Sequence, residues 1–126
     1  MKITKKQYDV FKRAVTMWVN SLGLKDWELY VGQETMPDSV MATCQWDTPN
    51  RVAYINMASD WDNDSVPLTN LEIKATAFHE VFHLAFAEIY DAALDRSLTK
   101  EQLGVLFHAQ IKRWQNMLVK KKLIRP

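Results

Sequence analysis

Residues 69–95, TNLEIKATAFHEVFHLAFAEIYDAALD, form one long helical stretch around which the other elements can be placed. Thr69 and Glu72 have the spacing of a capping box, so the helix is predicted to begin there and to run to Asp95. Its apolar residues recur at helical spacing and predict a core face: Leu71, Phe78, Phe82, Ala85, Ile89 and Ala92. The other face carries Glu72, Thr76, His79, Glu80, His83 and Ala87 and is predicted to face a cleft or solvent.

The stretch contains the pattern H-E-x-x-H as His79-Glu80-Val81-Phe82-His83. Each helical residue turns by about 100°, so His79 and His83 lie one turn apart on the same face. Two imidazoles in this arrangement can bind one zinc ion, and Glu80 lies where its carboxylate can accept a proton from zinc-bound water. The pattern therefore predicts a zinc-dependent metallopeptidase, a hydrolase that cleaves peptide bonds with Glu80 as general base.

A catalytic zinc needs a third protein ligand, which the motif does not supply. The candidates are His108 and Glu101, on one flank of the last predicted helix with Gly104 between them. A glycine inside a helix often marks close packing, which would bring this flank to the metal. Glu101 already has a role as a negative charge at a helix N-terminus, whereas His108 has none. His108 is therefore the predicted third ligand, and Glu101 is the alternative.

The segments before the motif predict one helix and a small sheet. Residues 4–22 carry a helical core stripe: Tyr8, Phe11, Val15, Trp18, Val19 and Leu22. Alternation of apolar and polar residues predicts strands at 27–32, 39–46 and 51–57. The second and third strands are predicted to form a hairpin across the turn formers at 47–50, and the sheet is predicted to be antiparallel.

The last segment predicts a C-terminal helix. Thr99 and Gln102 form a second capping-box pattern, and the helix is predicted to run to Lys121. Its predicted core stripe is Leu103, Leu106, Phe107, Ile111, Trp114 and Leu118. The fold class is thus α+β, with an N-terminal helix, a three-stranded antiparallel sheet, the motif helix and a C-terminal helix.

Length and composition predict one domain over residues 1–126. No apolar run approaches the roughly 20 residues of a membrane span, so no membrane partner is expected. The N-terminus lacks the apolar core of a secretory signal. Cys44 is the one cysteine, which fits a reducing cytoplasm, and its place in a strand-like run indicates a small core residue rather than a metal ligand.

Charge is unevenly distributed along the chain. Residues 1–23 hold five basic residues and one acidic residue. Residues 24–95 hold three basic and thirteen acidic residues, and residues 96–126 hold eight basic residues and one acidic residue. The acidic middle would favour a bound cation or a cationic substrate. The basic ends would suit a polyanion such as nucleic acid, although solvated faces and helix-end charge matching explain them more simply.

With these residues in place, the chain resembles the zincin superfamily of metallopeptidases. More narrowly, it is similar to the small H-E-x-x-H proteins encoded by bacteriophages and prophages. The resemblance rests on His79, Glu80, His83 and the segment 98–118. It implies a minimal zincin-like fold, zinc as cofactor, a peptide or protein substrate, and the host cytoplasm as location for a phage protein. Those phage proteins often carry a glutamate near the position of His108.

A looser similarity links the chain to SprT-type proteases, through the strand at Trp27, the hairpin and the motif helix. The zinc-ribbon tail common in that family is missing. The metzincin extension is absent too, because Phe86 and Ile89 occupy its glycine and histidine positions. Zincins commonly bind substrate as an extra strand, which would place it along residues 51–57, the expected sheet edge.

The sequence leaves the oxyanion donor open between Tyr54, Tyr90 and other groups. It also leaves three other functions open. The protein could be a catalytically silent zinc-binding interaction protein. It could act near nucleic acid through its basic termini, or it could be an α+β interaction domain in which the motif occurs by chance.

Overall fold

The structure, a computed structural model, describes residues 1–37, 39–61 and 67–116. The described elements are α1 (Lys5–Ser21), β1 (Glu28–Glu34), β2 (Ala42–Asp47), β3 (Val52–Ala58), α2 (Asn70–Ala85), α3 (Ala87–Leu94) and α4 (Lys100–Trp114). This mixture of helices and a small sheet confirms the α+β class. Among the described residues, no helix has both the length and the apolarity needed to cross a membrane.

The three strands form one sheet in the order β1-β3-β2. β2 and β3 pair antiparallel, as predicted for a hairpin, with Cys44 opposite Ile55. β1, however, pairs parallel with β3, from Glu28 opposite Val52 onward. The prediction of an antiparallel sheet is therefore wrong for β1, and the sheet is mixed.

The path of the chain between β1 and β2 explains this difference. Residues 35–37 and 39–41 lie at the end of β3, where the Ala58 amide donates to the Met41 carbonyl at 2.8 Å and the Ser59 amide donates to the Glu34 carbonyl at 2.9 Å. The chain thus returns on the far side of β3. The prediction that residues 51–57 form a sheet edge is wrong, because β3 is the central strand and β2 is the edge next to α2.

The core lies between α1, α2 and one face of the sheet. α1 begins at the predicted place, where Thr4 and Gln7 form a complete capping box. Alternate residues of β3 point into this core, and α1 and α2 each contribute a stripe of buried apolar residues. The most buried large residues are Phe11, Val15, Leu24, Ile55, Met57, Ile73, Val81 and Leu84.

The buried face of α2 is rotated relative to the sequence prediction. Leu71, predicted in the core, is 74% exposed, whereas Glu80 and Ala87, predicted on the polar face, are buried. The buried residues of α2 are Ile73, Ala77, Glu80, Val81, Leu84 and Ala85. The rotation arises because Phe78 and Phe82 pack on the flanks of the helix, against aromatic rings of α1 and α4, rather than at its centre.

A pair of leucine substitutions on α2 tests this orientation. Leu84 is 1% exposed, so Leu84→Ala is expected to lower the free energy of unfolding by about 2–5 kcal/mol through lost burial and a residual cavity. Leu71→Ala removes the same atoms from an exposed site and is expected to change it by less than about 0.5 kcal/mol. Urea denaturation of both variants measures the difference. Equal losses of unfolding free energy in the two variants would show that Leu71 is buried, as the sequence predicts.

The predicted single helix is interrupted at Phe86, which separates α2 from α3. Phe86 has φ −104° and ψ 5° and so leaves the helical range. At this break the Ala85 carbonyl accepts a hydrogen bond from the buried Gln110 side-chain amide of α4. The interruption therefore coincides with a contact from a distant part of the chain, and no glycine or proline marks it in the sequence.

α4 begins with the predicted capping box of Thr99 and Gln102. Trp114 packs against Phe82 and Phe86 and anchors the helix to the end of α2. The predicted core stripe is wrong for Phe107 and Ile111, which are 47% and 62% exposed. The remainder of the prediction, which includes Leu118 and the helix end at Lys121, lies outside the described residues.

Candidate metal centre

His79 and His83 project from one exposed face of α2, as the motif predicts. Their Nε2 atoms are 3.1 Å apart, and the two rings meet edge to face at 74°. Two nitrogens bound at about 2.0–2.1 Å to a tetrahedral zinc would be separated by about 3.3 Å. The pair is therefore already spaced to hold one ion with little movement.

Glu80 lies beside the histidines but on the buried side of α2, where it is 7% exposed. One ligand atom from each of His79, Glu80 and His83 lies within 4.8 Å of the others, which makes them a group that could hold a metal. Burial raises the pKa of the Glu80 carboxyl, and the nearby His83 and His79 lower that pKa in part. Such a carboxylate, shielded from bulk water and next to an ion site, is placed to exchange protons with a ligand of the ion.

Two clefts of about 390 Å³ each flank Glu80 and share Ala42 of β2 as a wall. One is lined by Ala42, Thr43, Cys44, Trp46, Glu80, His83, Phe86 and Tyr90. The other is lined by Ser39, Val40, Met41, Ala42, Glu72, Ala75, Thr76, His79 and Glu80. We call the two together the β2 groove. Each cleft contains one histidine of the pair, so the candidate metal centre lies on a groove that follows β2.

A set of side chains fixes one end of this groove. The Trp46 indole Nε1 donates to both carboxylate oxygens of Asp91, at 3.2 and 3.1 Å, and the Thr48 hydroxyl also donates to Asp91. Tyr90 packs edge-on against Trp46, with ring centroids 5.7 Å apart. Asp91 thereby holds the indole in place, and the indole supports Tyr90 in the cleft wall.

The two tyrosines named from the sequence as oxyanion donors occupy different surfaces. Tyr90 lines the cleft together with Glu80 and His83. Tyr54 stacks on Tyr30 and alternates with the inward-facing residues of β3, so it lies on the opposite face of the sheet. Of these two, only Tyr90 is close to the candidate centre.

Cys44 also lines the cleft and is half-buried. Burial, together with the charge of Glu80, raises the pKa of its thiol to about 12. The thiol is therefore protonated at neutral pH and is a poor nucleophile, and Cys44 does not belong to the group of described residues that could hold a metal. This agrees with the interpretation of Cys44 as a small packing residue.

His108 and Glu101 do not join the histidine pair. Both are exposed on α4, and neither belongs to the metal-capable group. Gln110 marks the side of α4 that faces the end of α2. At about 100° per residue, His108 lies about 160° and Glu101 about 180° around the helix from Gln110, so both are turned away from the motif. Their role as third ligand remains a prediction from the sequence.

Several residues that shape the centre were not recognised in the sequence. Alternation in β2 does put Ala42, Cys44 and Trp46 on one face, but it does not show that this face borders the motif. Asp91 carries no signal of its partnership with Trp46, 45 positions earlier in the chain. The order of the strands, which is a long-range property, decides both.

Comparison with protein-family models, curated proteins and solved structures finds no match to this chain. The resemblance to zincins therefore still rests on the motif and the order of elements. What the described residues add is the geometry of the histidine pair, the burial of Glu80 and the groove beside them.

Proposed function

We propose that the protein is a zinc-dependent metallopeptidase with a minimal zincin-like fold, which hydrolyses peptide bonds in the β2 groove. The observation that carries the proposal is the histidine pair, whose Nε2 atoms are 3.1 Å apart beside the buried Glu80. Histidine pairs at this spacing suit zinc, and an H-E-x-x-H helix supplies the general base between the two ligands.

Four side chains would carry the reaction, each with its own role. His79 and His83 would hold the ion, which when bound acts as a Lewis acid and makes its water more acidic. Glu80 would accept a proton from the attacking water on a carboxylate oxygen and donate it to the departing amine. Tyr90, which lines the cleft together with Glu80 and His83, would donate a hydrogen bond to the carbonyl oxygen of the substrate.

The shape of the groove favours an extended polypeptide as substrate. Within the described residues, β2 pairs with β3 on one side only, so its other edge is available to backbone hydrogen bonds. A peptide added to that edge would run along the groove past Glu80. β2 thus takes the role that the sequence assigned to residues 51–57.

A zinc-holding interaction protein that cleaves nothing is the second candidate. It is favoured by one observation: among the described residues, no third acidic, cysteine or histidine ligand joins the histidine pair other than Glu80 itself. If Glu80 were a ligand rather than a base, the ion would be held but no group would activate the water.

Chelation separates the two candidates. The zinc-loaded protein is expected to cleave members of a random peptide library. Removal of the ion with a chelator should abolish cleavage, and added zinc should restore it. Mass spectrometry of the peptides gives the result. Stoichiometric zinc without cleavage of any peptide would favour the interaction protein.

A further inference from the structure

A second concave surface lies next to the β2 groove, between α3 and α4. It encloses about 570 Å³ and is lined by Phe86, Ile89, Phe107, Gln110, Ile111, Trp114 and Gln115. Of the two polar residues, Gln110 is engaged with the Ala85 carbonyl. We call this surface the α3–α4 groove. It is almost wholly apolar.

Three apolar side chains of the α3–α4 groove are open to solvent, whereas Ile89 at its base is buried. Phe86, Phe107 and Ile111 are exposed large hydrophobic residues, and the spacing of Phe107 and Ile111 had predicted that those two lie in a core. Contiguous exposed apolar surface on one side of a protein commonly marks a binding site. A bound side chain of matching character would remove these residues from water.

Phe86 joins this surface to the candidate metal centre. Its ring lines the cleft that contains Glu80 and His83, and it also lines the α3–α4 groove. It occupies the break between α2 and α3, and its ring stacks on Trp114 with centroids 5.7 Å apart. Phe86 is therefore shared by the two surfaces, and a polypeptide in the β2 groove would meet the α3–α4 groove at this residue.

Charge on α4 adds a second property. α4 holds three basic residues and one acidic residue. Lys100 is exposed and lies about 20° around the helix from Phe107, two turns earlier, so a cationic group continues the apolar wall toward the start of α4. A ligand with acidic residues next to its apolar side chain would be complementary to this wall.

We propose that the α3–α4 groove binds a segment of the polypeptide substrate that carries a bulky apolar residue flanked by acidic ones. The inference rests on the proposed peptidase function, because the substrate is what links the two grooves. The segment is bound, not cleaved, and it holds the adjoining part of the chain over Glu80 and the histidine pair.

Direct binding to the Glu80→Gln protein tests this inference without cleavage. The probe is a short fluorescein-labelled peptide with a central Leu-Phe pair flanked by aspartates, followed by fluorescence anisotropy. In that background, Ile111→Asp is expected to weaken binding by at least about tenfold, because it places a charge in the apolar wall and repels the acidic flanks.

Val105→Asp is the matched control. Val105 is an exposed apolar residue of the same helix that does not line the groove, and it lies about 140° around the helix from Gln110 on the other side. Its substitution is expected to change binding by less than about twofold. Replacing the Leu-Phe pair by alanines should weaken binding to the unsubstituted groove as much as Ile111→Asp does.

Three results would overturn the inference. Equal binding by the Ile111→Asp and Val105→Asp proteins would show that the groove is not used. Binding that is seen only after deletion of residues 117–126 would assign the groove to the chain's own C-terminus. Self-association that Ile111→Asp abolishes, without peptide binding, would assign it to a second copy.

Failure of this inference can be told apart from failure of the proposed function. If the peptidase proposal fails, the wild-type protein cleaves no peptide at any zinc concentration. If only the groove fails, cleavage persists and the apolar-acidic peptide shows no preference for the unsubstituted α4.

Discussion

Glu80→Gln is expected to keep its zinc and to lose peptide hydrolysis by about 10²–10⁴-fold, the usual contribution of a general base. Glutamine has the same shape as glutamate but does not accept a proton from water. The residue is buried next to the histidine pair and contacts both halves of the β2 groove. The loss should therefore be confined to kcat, with little change in folding or in metal content.

Glu34→Gln provides the control for that substitution. Glu34 is exposed at the end of β1, the other edge of the sheet, so the same chemical change there should leave hydrolysis within about twofold of wild type. The measurement is kcat on a cleaved peptide at saturating zinc. A Glu80→Gln protein with wild-type kcat would show that another group activates the water.

His83→Ala is expected to reduce zinc affinity by at least about 100-fold, and His79→Ala by a similar factor, because each removes one of two protein nitrogens that hold the ion. Both histidines are exposed, so their loss should not disturb the core. Competition with a chromogenic chelator measures the affinity, and circular dichroism verifies the fold.

His108→Ala and Glu101→Ala are the comparison for the histidine pair. Since α4 turns both side chains away from the motif, each substitution is expected to change zinc affinity by less than about twofold. A loss as large as that of His83→Ala would instead show that α4 supplies the third ligand, as the sequence predicts. The same experiment thus tests the pair and the predicted third ligand together.

The histidine pair was predictable because it depends on one local spacing. Residues four apart on a helix face the same way whatever surrounds them, so His79 and His83 could be paired from the sequence alone. The start of α4 was predictable for the same reason, since the contacts of Thr99 and Gln102 are local.

The surroundings of the pair could not be predicted in the same way. Alternation along β2 and β3 defines the faces of each strand, but the parallel placement of β1 depends on the contacts that Glu34 and Met41 make at the end of β3. Since that placement puts β3 in the centre, it also makes β2 the strand beside the motif. The edge assigned to residues 51–57 was wrong for this reason.

Glu80 shows the limit of helical periodicity. Its position on the wheel places it between the histidines and the apolar stripe, and charge alone suggested the polar face. In the structure the buried face is rotated because Phe78 and Phe82 pack on the flanks of α2. Glu80 is therefore buried and faces β2. The break at Phe86 likewise coincides with a contact from Gln110, 24 residues away, which no local pattern indicates.

The zinc content of untagged protein decides whether His79 and His83 hold a metal ion. The protein is dialysed against zinc and then against metal-free buffer before elemental analysis. We expect about one zinc ion per chain, because two closely spaced imidazoles and a neighbouring carboxylate can bind one ion. No bound zinc after this exposure would contradict the account. The motif would then be incidental, and the protein would be better explained as an α+β interaction domain.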